Sequence, residues 1–175
     1  DLEGVVHGAD FLEQAGSATP PTVQGDFVAV GCTAMAFDAA RTALRLGART
    51  ATVLFPQSLA DLPMPNEEVR TAEREGVRTL YLSAPIRFER RGRRVASIVV
   101  QKVAPPGADG DAGPVKIPGA TFEIPAWLVC LATTGVGRQP VRDLPDLDVD
   151  DREKPVCDPQ TRMTSRPGVF AAGEL

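Results

Sequence analysis

The stretch Gly31-Cys32-Thr33-Ala34-Met35-Ala36 joins an apolar, β-favouring run at 27–30 to an alanine-rich, helix-favouring one. A strand that turns through glycine into a helix presents free backbone N–H groups and the positive end of a helix dipole, and so can hold a phosphate. A dinucleotide turn needs one glycine to bend and a second to let the backbone approach a pyrophosphate. It needs a third small residue so that helix and strand pack closely. Gly31 fills the first place, Thr33 stands in the second, and Ala36 is an accepted variant in the third. The match is partial, and a plain strand-to-helix turn is the alternative. After the next strand, an acidic residue would bind a ribose and arginines would receive the extra phosphate of NADP. Phe55-Pro56-Gln57-Ser58 stands there with neither. Gln57 and Ser58 offer hydrogen bonds to a ribose, as an ordinary surface loop also would.

Other chemistries lack their residues. His7 is the one histidine, which excludes a histidine-rich metal site and leaves no base for a nucleophile triad. Cys32, Cys130 and Cys157 are widely spaced, so no dithiol, iron–sulfur cradle or zinc ribbon forms locally, and buried reduced thiols are expected. Arg87, Arg90, Arg91, Arg93 and Arg94 surround Gly92, without interleaved aromatics and in a chain of net charge −4. That pattern reads as a solvated hairpin tip and not as a nucleic-acid surface. The acidic run at 143–151 reads as a solvated loop. No stretch has the length of a membrane span and no leader pattern opens the chain, so a cytoplasmic protein is expected.

The elements that must position the turn follow from periodicity. An apolar fraction of 43% in 175 residues suits one globular domain with a real core, or one domain with extensions. "VVHGADFLEQAG" predicts a short helix that includes His7, and 27–30 predicts a strand. "TAMAFDAARTALRLGA" is a strong helix with Gly47 at its end, and "ATVLF" is the next strand. "PMPNEEVRTAEREGV" predicts a helix capped by Asn66, and "RTLYLSA" a third strand. An antiparallel pair follows around Gly92, then a flexible loop at 104–114, a buried strand at 128–132 and a last strand in "RPGVFAAG". The fold class is α/β: a Rossmann-like parallel sheet with helices on both faces plus an antiparallel β-meander insertion. Trp127 and Tyr81 are single aromatics expected in the core or at an interface.

Read together, "GVVHGADFLEQAG", "AVGCTAMAFDAARTALRLGA", "LADLPMPNEEVRTAEREGV", "VVQKV", "LATTGVGRQP" and "TSRPGVFAAGE" resemble one family along nearly the whole chain. It is the NAD(P)H-binding domain of the glutamate synthase small (β) subunit and related FAD-dependent pyridine nucleotide oxidoreductases. The resemblance implies a connecting segment with a short helix at 1–22, the NAD(P)H-binding domain at 23–167, and the start of a truncated FAD-domain strand at 168–175. It implies NADPH or NADH as cofactor, FAD only in the domain that is absent here, and hydride transfer from the one to the other. The partners implied are that FAD domain and an iron–sulfur or large-subunit protein, with no nucleic acid, membrane or metal. Gly31, Cys32, Thr33, Ala34 and Ala36 would meet the pyrophosphate, Phe55, Gln57 and Ser58 the adenosine ribose, and Thr134 and Gly135 the nicotinamide. No residue is assigned as acid or base, and turnover by the isolated chain is not expected.

Three departures fall where the family meets its cofactor. The usual triple glycine followed by Asn-Thr-Ala is replaced at 31–36, the usual Tyr-Arg-Arg-Ser at 55–58, and the usual Ala-x-Gly turn at 133–135 is one residue longer. They imply a site altered by redesign or by lost selection, with dinucleotide binding weakened or lost. The competing expectation is a non-enzymatic Rossmann-like scaffold, excised or redesigned, that binds no nucleotide. Two features favour excision or a scaffold: the chain starts without methionine and stops in a turn, and Trp127 stands where the family has a small polar or acidic residue.

Overall fold

Along the chain the elements are Val5–His7 (β1), Gly8–Ala15 (α1), Asp26–Val30 (β2), Ala34–Arg45 (α2), Thr50–Leu54 (β3), Asn66–Arg74 (α3), Arg78–Leu80 (β4), Ser83–Arg91 (β5), Arg94–Ala104 (β6), Val115–Pro125 (β7) and Leu128–Leu131 (β8). A short 3-10 turn at Leu59–Asp61 precedes α3. The computed structural model describes residues 2–105, 113–133, 147–150 and 155–171. The expected loop at 104–114 and acidic run at 143–151 lie largely outside them. The chain divides into two compact units, Asp1–Val136 and Gly137–Leu175.

In the first unit a parallel five-stranded sheet has the order β1-β8-β2-β3-β4, and β5-β6-β7 form a separate antiparallel sheet. Strands β2 and β3 are buried on both sides, as a sheet covered on both faces must be. Phe27 and Ala29 join a core with Phe11 of α1, the alanine face of α2, and Val69 and Ala72 of α3. Val28 and Val30 face the other way, into a core with Val95, Ile98 and Val100 of β6 and with Phe88, Phe122 and Ile124. The α/β class with its parallel sheet and antiparallel meander is as expected. The helices, however, contribute to one core and the antiparallel sheet to the other, so helices do not cover both faces.

Several local expectations are corrected. Val5 and Val6 form an edge strand paired with Val129 and Cys130, not the first turn of a helix, and His7 sits at the N-cap of α1 in extended backbone. The segment expected as a connector thus supplies a strand of the main sheet. Pro65, not Asn66, is the N-cap of α3, its carbonyl accepting from Glu68 N at 3.1 Å. Strand β7 was not foreseen: Pro118 and Gly119 interrupt it, which an edge strand tolerates. Of the cysteines, only Cys130 is buried, and all three are free. Burial pushes the Cys130 thiol up to about 12, which makes it inert. Trp127 packs on Gly25 and lies under the Arg94 guanidinium, 4.1 Å from the ring centre.

Asp26 opens β2 and is almost fully buried. It accepts from Arg49 Nε at 3.0 Å, from Arg49 Nη2 and from Thr50 Oγ1 at 2.8 Å. The Arg49 hydrogen bond, against desolvation and with help from Thr50, holds its carboxyl below the usual range. A carboxyl depressed in the folded state stabilises the fold above its unfolded pKa of about 3.9 and loses that contribution as pH falls through the folded value. Denaturant titrations between neutral pH and pH 2 should therefore show an acid loss of stability that is smaller in Asp26→Asn. At pH 7 that variant should be less stable by about 1–3 kcal/mol. A gap between the two proteins that stays constant with pH contradicts this account.

The second unit is held by isolated antiparallel bridges, Cys157 to Thr164 and Met163 to Phe170. Asp158 accepts from the backbone N–H of Thr161 at 2.7 Å and of Gln160 at 3.0 Å, an Asx-type turn that lowers its carboxyl's pKa. Among the described residues the strand expected in "RPGVFAAG" forms only the Phe170 bridge, and 172–175 lie outside them.

Candidate functional site

Strand β2 leads through α2 to β3 on one side of it, whereas β8, which follows the meander, lies on its other side. The strand order thus reverses between β2 and β8, and in open α/β sheets the crevice beyond the carboxyl ends of the strands at such a point is where ligands bind. A cleft of about 230 Å³ opens there. Its walls are Gly31, Cys32 and Thr33 after β2, Phe55, Pro56 and Gln57 after β3, and Thr133 after β8.

The turn is fixed from both sides. Gly31 N donates to Leu54 O at 3.1 Å, and Ala132 N donates to Val30 O at 2.9 Å. Gly31 has φ +141°, and a Cβ there would lie 2.2 Å from the Ala132 carbonyl oxygen, so the end of β8 demands glycine. Thr33 is the N-cap of α2, but its hydroxyl donates to Ala132 O at 3.1 Å instead of capping the helix. The first-turn N–H groups of α2 therefore have no side-chain cap, and no acidic residue stands in that turn to neutralise the dipole.

Among the described residues no charged side chain lines the cleft. One polar atom in its wall is orphaned: Gln57 Oε1 is shielded from solvent and accepts no hydrogen bond. A buried acceptor without a donor costs about 1–3 kcal/mol.

Of the residues expected at a cofactor, the structure gathers Gly31, Cys32, Thr33, Phe55 and Gln57 around this one cleft. Ala34 is exposed at the first turn of α2, against a neighbouring groove. Ala36 has no exposed surface and packs α2 onto the sheet, so it cannot touch a ligand. Ser58 donates to Asp61 Oδ2 and stands outside the cleft wall. Thr134 and Gly135 lie outside the described residues. Sequence reasoning passed over Pro56 and Thr133 as wall residues. The signal was their position just past parallel strand ends.

These features define a Rossmann-like α/β fold. The chain superimposes on thioredoxin reductase of T. acidophilum with a TM-score of 0.62 at 16% identity, covering 98% of this chain and 49% of that one. No family model matches it. It is 36% identical over 179 residues to the NADP(+)-dependent formate dehydrogenase subunit beta of Moorella thermoacetica, covering 98% of this chain and 25% of that protein. It is also 36% identical over 155 residues to a putative glutamate synthase NADPH small chain of Cereibacter sphaeroides, covering 85% of this chain and 37% of that one. The chain is a homologue of the glutamate synthase small subunit and of the formate dehydrogenase beta subunit. It spans well under half the length of either relative. Among the described residues no helix is long and apolar enough to cross a membrane.

Proposed function

We propose that this chain is the NAD(P)H-binding domain of a flavin-dependent oxidoreductase, with a cofactor site altered from the form its relatives use. The observation that carries the reading is the cleft past the carboxyl ends of β2, β3 and β8, walled by the turn that enters the uncapped N-terminus of α2 and by Gln57. The residues fit a dinucleotide: the N–H groups of Ala34 and Met35 at the start of α2 would hold the pyrophosphate, and the Gln57 amide would turn to meet an adenosine ribose hydroxyl. Cys32 and Thr33 line the pyrophosphate side, Phe55 and Pro56 wall the ribose side, and Thr134 and Gly135 would follow toward the nicotinamide. The nicotinamide, when bound, supplies a hydride for the FAD of an adjoining domain. This chain's residues orient the cofactor and exclude water from one side of it. A partner subunit in the parent enzyme would receive the electrons.

Binding should be weak, because no arginine stands among the described residues of the cleft wall and the Thr33 side chain stands where a second glycine would let the pyrophosphate approach the backbone. Isothermal titration with NADH and NADPH should give saturable binding with Kd of about 10 μM or weaker. Heat that does not saturate with either dinucleotide overturns the assignment.

A further inference from the structure

At the other end of the sheet, the amino ends of β2, β3 and β8 meet the tip of the β5–β6 hairpin around a cavity of about 480 Å³. Its wall carries Arg49, which precedes β3, Arg91 and Arg94 of the hairpin tip, Asp26 and Trp127. We propose that this cavity docks an acidic segment of a partner polypeptide, with a carboxylate on Arg91 and Arg49 and an apolar side chain against Trp127. The inference stands apart from the dinucleotide reading, since the two sites share no residue and lie at opposite strand ends.

Charge is the first argument. Asp26 is the one acid among the described residues of the wall, and it is already engaged by Arg49 and Thr50. Arg49 meets it through Nε and Nη2, which leaves Nη1 for a further acceptor, and the Arg49 side chain is 73% exposed. Arg94 is engaged too, donating to Glu3 Oε1 at 2.7 Å and to Trp127 O at 3.1 Å. Arg91 is exposed, and among the described residues neither it nor its exposed neighbours Arg90 and Arg93 have an ion-pair partner. Three such arginines within four residues concentrate positive charge in a chain of net charge −4, and no contact within the fold uses it.

Trp127 supplies the apolar seat. Its Cβ packs so closely on Gly25 that a Cβ there would lie 2.6 Å from it, and the Arg94 guanidinium lies 4.1 Å from the ring centre. The ring is thus fixed and half-buried. Tryptophan and arginine in the absence of lysine are the composition of protein-interface centres. The extent of the charge decides the class of occupant. Arg90 and Arg93 lie outside the cavity wall, so a small anion seated inside would leave them unmet. A polypeptide that continues over the hairpin meets them. A nucleic acid would want further stacking platforms, and Trp127 is the one aromatic among the described residues of the wall.

Trp127 is the single tryptophan of the chain, so its fluorescence reports on the cavity directly. The probes are a hexapeptide of alternating glutamate and leucine, its glutamine-for-glutamate counterpart, inorganic phosphate and a single-stranded oligonucleotide. The acidic peptide should change the emission saturably and bind about tenfold tighter or more than the other three, and added salt should weaken it. Arg91→Gln should cost the acidic peptide about fivefold. Arg87→Gln, a hairpin arginine outside the wall and paired with Glu89 at 2.7 Å, should cost less than about twofold. Both positions are exposed, and circular dichroism verifies that the variants fold. No saturable change with the acidic peptide, or equal losses in the two variants, overturns the docking site. Phosphate or oligonucleotide binding as tightly as the acidic peptide overturns the assignment of its occupant.

Discussion

A Gly31→Ala variant should lose about 3 kcal/mol of stability and roughly 10 °C of melting temperature. Two costs combine. Alanine at φ +141° is strained by about 1–2 kcal/mol. Its Cβ would also sit 2.2 Å from Ala132 O, a backbone atom at the end of a strand hydrogen-bonded on both sides. A backbone oxygen cannot swing aside as a side-chain tip does, so β8 or the turn must shift, at about 1–3 kcal/mol. Two control glycines separate the terms. Gly92, at φ +66° with nothing near its Cβ, should show the dihedral cost alone on substitution by alanine. Gly113, with open space and no positive φ, should show neither. Equal melting temperatures for the Gly31 and Gly92 variants would refute the close approach of turn and strand.

Converting Thr33→Gly, Pro56→Arg and Gln57→Arg in one chain should tighten NADPH by roughly 100-fold. Each new arginine offers a charge-assisted bond of about 1.5–3 kcal/mol to a phosphate, the two sharing one group and so not adding fully. Thr33→Gly clears the pyrophosphate path but gives up the hydroxyl bond to Ala132 O, about 1 kcal/mol of fold stability. Calorimetry reads the affinity, and circular dichroism verifies that the turn survives. A folded triple variant with less than threefold gain would mean that the 2′-phosphate does not approach residues 56 and 57.

The parallel core of this protein was legible because β2, α2 and β3 combine pattern, propensity and turn chemistry in one short run. Residues that contribute through tertiary position were less so. Val5 and Val6 read as helix because two apolar residues before Phe11 and Leu12 fit either period, and only pairing with Val129 and Cys130 decides it. Strand β2 is apolar on both faces from Phe27 to Val30 whatever covers it, so the pattern cannot distinguish helices from an antiparallel sheet on the second face. At the site, the Gly31 turn was found from its residue types. The engagement of Ser58 with Asp61, the complete burial of Ala36 and the orphaned Gln57 oxygen depend on packing that no local pattern encodes.

The insertion of β8 between β1 and β2 has a consequence for biosynthesis. Val5 must wait for Val129 to be made, and Phe27 for Leu128, before either neighbour gains its partner. At ordinary translation speeds that interval is about 10 s. Throughout it, β1 has no strand to pair with and one edge of β2 stays open to other chains. The carbonyl of Ala132, against which the Gly31 turn closes, arrives later still. Nascent chains released before residue 133 would lack one wall of the cleft and present strand edges that the finished sheet covers. A chaperone acting on this protein would have its greatest effect in that window.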